Sequence, residues 1–262
     1  MNTTSMIDWQ QYDETTAIEM NPGFLLYLRA NCEYSRKRFL YKIAEKNELD
    51  FLDQFDFSNF VCIDVGANIG YWCVYLNAKL HAKEVHCFEP DPTTCVILRR
   101  NLTLNNIVHN SFVNESAVHE TIENATLHLI SNLSANNSTR YIANVPSISV
   151  KGTSLDAYAQ KQGINHVDFI KIDIEGAERA ALDGCEKIIA RDKPVIMLEF
   201  ISENHEDDGV MLRNCLAELE EKHEMFCFRV DANILVPVPI DSLYHYNGNL
   251  FVTRKDSWLF DK

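Results

Sequence analysis

Two groups of residues have the types and spacing to carry chemistry. The first is the turn Asp64-Val65-Gly66-Ala67-Asn68-Ile69-Gly70, followed further on by Phe88-Glu89-Pro90. The second is Lys171, Asp173 and Glu175, joined by Glu199. Glycine turns of the first kind bring backbone N–H groups and a helix N-terminus close to a ligand. In the dinucleotide fingerprint GxGxxG that ligand is a pyrophosphate. Here the middle glycine is missing and Asp64 ends the strand, so a pyrophosphate would meet a carboxylate. An ammonium would be attracted instead. S-adenosylmethionine offers an ammonium, a sulfonium and a ribose, with no phosphate. Glu89, at the end of the next strand, is spaced to accept hydrogen bonds from both ribose hydroxyls. The expected cofactor contacts are Asp64, Gly66, Ala67, Asn68, Ile69, Gly70, Glu89, Pro90 and Asp173. In the plainer alternative, Asp64 caps the following helix and Glu89 starts a turn.

The second group suits activation of a hydroxyl. A hydroxyl oxygen is a poor nucleophile until it is held roughly 3 to 3.5 Å from the atom it attacks and relieved of its proton. Asp173, Glu175 and Glu199 can meet that demand in two ways. One serves as general base, its pKa raised by burial and like charges; or Asp173 and Glu199 hold a hard cation such as Mg²⁺. Lys171 shares a strand face with Asp173 by period-two spacing and either neutralises the acids or activates the acceptor. His205 and Glu206, in a later loop, rank below these. The bland readings are that Asp173 only touches cofactor, that Glu175 and Glu178 favour a helix dipole, and that Lys171 snorkels.

The elements that must position these residues follow from apolar patterning. FVCIDVG, from Phe60, is a continuous β-branched run of the kind buried on both faces of a parallel sheet. A helix (YWCVYLNAKL), a strand (EVHCFEP), a helix from Thr93 and a strand over 111–118 follow, the rhythm of right-handed βαβ units. ATLHLI and SISVKG interrupt it as extra strands, flanking an Asn/Ser-rich loop, Ser131 to Ser138, that is either a lid or a turn. The alternation resumes with SLDAYAQKQ, VDFIKID, GAERAALDGCEKIIA, PVIMLEF, a helix over 210–222, MFCFRV and NLFVTR. This predicts an open, doubly wound, Rossmann-like α/β sheet over residues 58–262. Residues 1–57 read as a helical N-terminal extension with a helix between Ser35 and Phe51. Trp72 and Tyr75 read as core, and Arg99 and Arg100 as solvated.

Composition narrows the partners. The chain has 262 residues with 24 Lys+Arg against 38 Asp+Glu, a formal charge of −14. That balance disfavours nucleic acid as an obligatory partner, because phosphate binding needs clustered cations. No apolar stretch reaches the roughly 20 residues of a membrane span. The N-terminus lacks the pattern of a signal peptide, and no pair of the eight cysteines forms CxxC. The expectation is a cytoplasmic protein with a small-molecule or saccharide acceptor.

VCIDVGANIGYW, CFEPDP, LRRNLTLNN, SLDAY and VDFIKIDIEGAE together resemble the FkbM-type S-adenosylmethionine-dependent methyltransferases. The resemblance runs from about Phe60 to Phe200, and Lys171 to Glu178 is its most specific piece. It implies a class I methyltransferase sheet of seven strands, the last antiparallel. It also implies methyl transfer to a hydroxyl of a sugar, a glycan or glycolipid unit, or a natural product. In that geometry the ends of the fourth and fifth strands face the methyl group, and Ser116 and Ala117 border the adenine. The segments before Phe60 and after Phe200 match less clearly and are the ones that usually choose the acceptor. Two other readings stand beside it: an NAD-dependent oxidoreductase or epimerase on a similar sheet, and a non-catalytic scaffold that keeps the cofactor pocket. Fold alone does not separate them.

Overall fold

The computed structural model describes residues 12, 14–21, 23–30, 32–121, 124–129, 138–139, 143–204 and 209–260. His205, Glu206, Trp9 and most of the loop Ser131 to Ser138 lie outside them.

The N-terminal segment holds a hairpin of β1 (Ile18–Glu19) and β2 (Leu25–Leu26), then α1 (Glu33–Tyr41) and α2 (Lys46–Leu52). The single helix expected there is broken at Lys42, which caps α1 in the left-handed region. Next come β3 (Val61–Val65), α3 (Tyr71–Val74) with a π-helical continuation over Tyr75–Lys79, β4 (Glu84–Phe88) and α4 (Pro92–Leu104). Asp91 caps α4 by accepting from the Thr93 amide, with Pro92 at the first helical position. The strand expected over 111–118 is two, β5 (Ser111–Asn114) and β6 (Ala117–Val118). Only β5 joins the main sheet. β6 turns away to form a small sheet with β7 (Asn124–His128) and β8 (Ser147–Thr153).

After α5 (Leu155–Gln162) and β9 (Phe169–Ile172), the helix expected over 176–190 is two helices, α6 (Glu178–Asp183) and α7 (Glu186–Asp192). They part at Gly184, where a β-carbon would fall 2.4 Å from the His119 carbonyl oxygen. The chain closes with β10 (Val195–Ile201), α8 (Val210–His223), β11 (Phe226–Asp231), β12 (Ile234–Pro237) and β13 (Asn247–Thr253).

The main sheet runs β12-β11-β13-β10-β9-β3-β4-β5. β5, β4, β3, β9 and β10 are parallel, and β13 lies antiparallel between β10 and β11. Among the described residues the sheet therefore has eight strands, one more than the resemblance implies. β12 is the extra strand, folded onto β11 through Ala232 and Asn233, both at positive φ as a tight hairpin turn requires.

Two cores cover the faces. One side packs Ile63, Val65, Ile170 and Leu198 against α5 to α8. On the other side Cys62, Phe169 and Met197 pack with α3, α4 and the N-terminal segment, whose Phe24, Leu28, Leu49, Phe51 and Phe57 are fully buried there. Residues 12–57 thus share a core with the sheet. The Asn101 amide, buried on α4, fixes this arrangement: it donates to the Tyr27 and Ile69 carbonyls and accepts from the Tyr27 amide.

Candidate functional site

Strand register sets the site. Asp64 on β3 pairs with Lys171 on β9, which pairs with Met197 on β10. These side chains share the face that carries Cys62 and Phe169. Two residues further along the same row come Gly66, Asp173 and Glu199, at the carboxyl ends of the parallel strands, where ligands bind in open α/β sheets. A cleft of about 260 Å³ opens there.

The turn after β3 is built on backbone contacts. Gly66 and Ala67 donate to the Phe88 carbonyl, tying β3 to β4, and Asn68 donates to Glu89 Oε2 at 2.9 Å. Asp91 donates to the other Glu89 oxygen at 2.9 Å. Burial pushes the Glu89 carboxyl up to about 7, against the pull of those two amides. The Asn68 side-chain oxygen is buried, at the cleft wall, and has no hydrogen-bond partner among the described residues. Gly66, Ala67, Asn68, Glu89, Pro90, Ser116 and Ala117 all line the cleft.

Asp64, Ile69 and Gly70 sit behind the wall rather than on it. Period two turns the Asp64 side chain under α3, where it is wholly buried beside the Cys73 amide in the first turn of that helix. Burial raises its carboxyl to about 6, with Lys171 opposing. Ile69 belongs to the core, and Gly70 starts α3 against Leu98.

The reacting end of the cleft gathers Lys171, Asp173, Glu175 and Glu199, all lining it. Lys171 is 3% exposed and donates to Asp173 Oδ2 at 2.9 Å. Its burial would lower its pKa, but Asp173, Asp64 and Glu45 outweigh that and raise it. The direction of that shift favours a fixed ammonium over an activating lysine of depressed pKa. Glu199 is pushed up to about 9, by burial first and then by Asp173 and Glu175. Glu175 holds a left-handed conformation, φ 56°, and its turn is pinned by Glu178, which accepts from the Ile174 and Gly176 amides. Glu178 therefore ties down the loop that presents Asp173 and Glu175, beyond a dipole role. Carboxylate oxygens of Asp173, Glu175 and Glu199 lie within 4.8 Å of one another, a spacing compatible with a cation.

Sequence reasoning missed Glu45 and placed Trp72 in the core alone. Glu45 reaches the cleft from between α1 and α2; no periodicity marks it. Its Oε2 accepts from the Trp72 indole N–H, and Oε1 lies 3.8 Å from Arg38. Trp72 follows Gly70 by two positions, so it falls in the first turn of a helix that starts at the cleft. That position was the available signal. Tyr75 is core, as expected.

Sheet order, the inserted antiparallel strand and a cleft at the carboxyl ends of the first, second, fourth and fifth core strands define the class I methyltransferase fold. Residues 64–225, more than half the chain, match the FkbM methyltransferase domain, and the chain belongs to that family. The match runs past Phe200, further than the sequence resemblance reached. Among curated proteins, Methyltransferase sdnD of Sordaria araneosa is 23% identical over 160 residues, 50% of this chain and 62% of that protein. Methyltransferase 1 of Beauveria bassiana is 27% identical over 147 residues, 47% of this chain and 57% of that protein. The chain thus spans about three-fifths of the length of the curated relatives it matches. The crystal structure of an FkbM methyltransferase from Methylobacillus flagellatus superposes with TM-score 0.50 at 19% identity, over 74% of this chain and 44% of that one. That likeness is one of fold.

Proposed function

We propose that the chain transfers a methyl group from S-adenosylmethionine to a hydroxyl oxygen of a sugar, a glycan or glycolipid unit, or a natural-product small molecule. The observation that carries this reading is the set of hydrogen-bond acceptors around the turn. Gly66 lets the turn pack directly on the Asp173 backbone beside the cleft, the Asn68 oxygen is buried without a partner among the described residues, and Glu89 has lone pairs beyond the two that its amide bonds use. These groups are hydrogen-bond acceptors, suited to ribose hydroxyls. They do not suit a pyrophosphate, and of the cleft cations Lys171 and Arg38 are engaged by Asp173 and Glu45. That weighs against the NAD-dependent alternative.

When bound, the cofactor supplies an electrophilic methyl group. Asp173, positioned by the hydrogen bond from Lys171, takes the hydroxyl proton as the acceptor oxygen attacks in line. Glu199 keeps its own proton at neutral pH and donates a hydrogen bond that orients the acceptor oxygen. Lys171 limits the mutual repulsion of the acids and fixes the Asp173 rotamer. Among the described residues no helix is long and apolar enough to cross a membrane. The deciding experiment is calorimetric titration with S-adenosylhomocysteine and, in parallel, NAD. Binding of the first alone supports the reading; binding of NAD overturns it, and binding of neither favours a scaffold.

A further inference from the structure

Glu45 comes from outside the stretch that matches the family, residues 64–225. It nevertheless delivers a carboxylate to the reacting end of the cleft. Its backbone is left-handed, φ 43°, a conformation that glutamate rarely adopts and that clusters at functional sites. The side chain is 20% exposed, and it lines the cleft. The Trp72 indole N–H holds one oxygen, and Arg38 stands at ion-pair distance from the other. Each oxygen has a second lone pair, so capacity to accept remains. Lys171 and Asp173 both act on its charge, and it acts on Glu199, so it is electrostatically part of the reacting cluster.

The lining also speaks to the charge of whatever enters. Glu45, Glu89, Asp173, Glu175 and Glu199 give −5 and Lys37, Arg38 and Lys171 give +3, so the formal sum is −2. With the proton on Glu199 it is −1, and the single net positive charge of the cofactor brings it to zero. Neither a phosphate nor a second ammonium is called for. An apolar acceptor would bury these carboxylates without hydrogen bonds, which is unfavourable.

We propose that Glu45 is the acceptor-specificity residue, accepting hydrogen bonds from hydroxyls that neighbour the reacting one on a neutral, hydroxyl-rich molecule. This rests on the methyl-transfer reading and deepens it. The selectivity is carried by the N-terminal segment, outside the stretch that matches the family.

The test uses the full chain saturated with sinefungin, an unreactive analogue that keeps the cofactor's single net positive charge, with S-adenosylhomocysteine titrated separately. Neutral methyl glycosides, glucosamine and a glucose phosphate are titrated into the wild type and Glu45→Gln. The amide oxygen still accepts from Trp72, and S-adenosylhomocysteine affinity of the unloaded proteins reports an intact cofactor site. At least one methyl glycoside is expected to bind the wild type more tightly than the charged sugars. Glu45→Gln is expected to weaken that binding about tenfold, equivalent to about 1.4 kcal/mol, with S-adenosylhomocysteine affinity unchanged. Equal glycoside binding by both proteins overturns the proposal, as does preference for either charged sugar or absence of glycoside binding to the loaded wild type. Failure of S-adenosylhomocysteine itself to bind is a separate outcome: it removes the cofactor reading and this inference with it.

Discussion

Gly66 and Asp173 meet so closely that a β-carbon on Gly66 would lie 1.9 Å from the Asp173 carbonyl oxygen. The first turn of the sheet and the loop bearing the proposed base are thus packed backbone to backbone. Gly66 also sits at φ 80°, in the region that side chains disfavour. Gly66→Ala therefore forces Asp173 away from Lys171 as well as straining the turn. The expected cost is about 3 kcal/mol of stability, with loss of S-adenosylhomocysteine binding. Denaturant unfolding beside a binding titration checks both; a stable variant that binds normally would show that the contact does not hold the site.

Asp173→Asn separates binding from chemistry. The amide still accepts from Lys171 but cannot take a proton. Turnover is expected to fall by roughly 10²- to 10⁴-fold, the usual worth of a positioned base, with cofactor affinity nearly unchanged. Single-turnover rates after saturation with both ligands make the comparison. Retention of full turnover would move the base elsewhere in the cluster.

Glu199 makes stability depend on pH in a direction opposite to that of an ordinary ion-paired acid. Its folded pKa, about 9, lies above the usual 4.5. The stability it contributes is therefore fully present below its unfolded pKa and is lost as pH rises through about 9. Burial comes first among the causes, then Asp173 and Glu175, with Lys171 pulling the other way and Glu45 adding to the rise. The wild type is expected to lose thermal stability between about pH 5 and pH 9. Glu199→Gln, which carries no charge to expose, is expected to lose less and to melt several degrees higher at the alkaline end. Parallel melting curves across that range decide it; identical slopes would mean that Glu199 ionises normally.

The turn 64–70 and Glu89 were legible because their chemistry is local: glycines at a strand end, and an acid one strand on. Lys171, Asp173 and Glu199 were legible because period two and sheet order place them in adjacent rows. Glu45 was not, since it reaches the cleft through packing of the N-terminal segment on α3 and α4, which no short-range pattern encodes. The division of α6 from α7 was equally hidden. It depends on the His119 carbonyl, far away in sequence, crowding Gly184. The eighth strand, Ile234–Pro237, is short and ends in a proline, which an edge strand tolerates but which carries no strand pattern of its own.

The last prediction concerns the cation that the acids were expected to hold as an alternative. Asp173, Glu175 and Glu199 are close enough for one, but a hard cation takes at least six oxygen ligands and would compete with Lys171 for Asp173. The buried Lys171 ammonium already supplies positive charge to this cluster, and its raised pKa keeps that charge in place. Chelation with EDTA is therefore expected to leave wild-type turnover and S-adenosylhomocysteine affinity unchanged. Lys171→Met should reverse the situation. Its carboxylates, stripped of their partner, should destabilise the fold by about 3 to 5 kcal/mol, and added Mg²⁺ should recover part of that loss in the variant alone. Wild-type turnover that stops with EDTA and returns with Mg²⁺ would replace the general base with a metal-polarised hydroxyl, and would make Lys171 a support for the metal ligands.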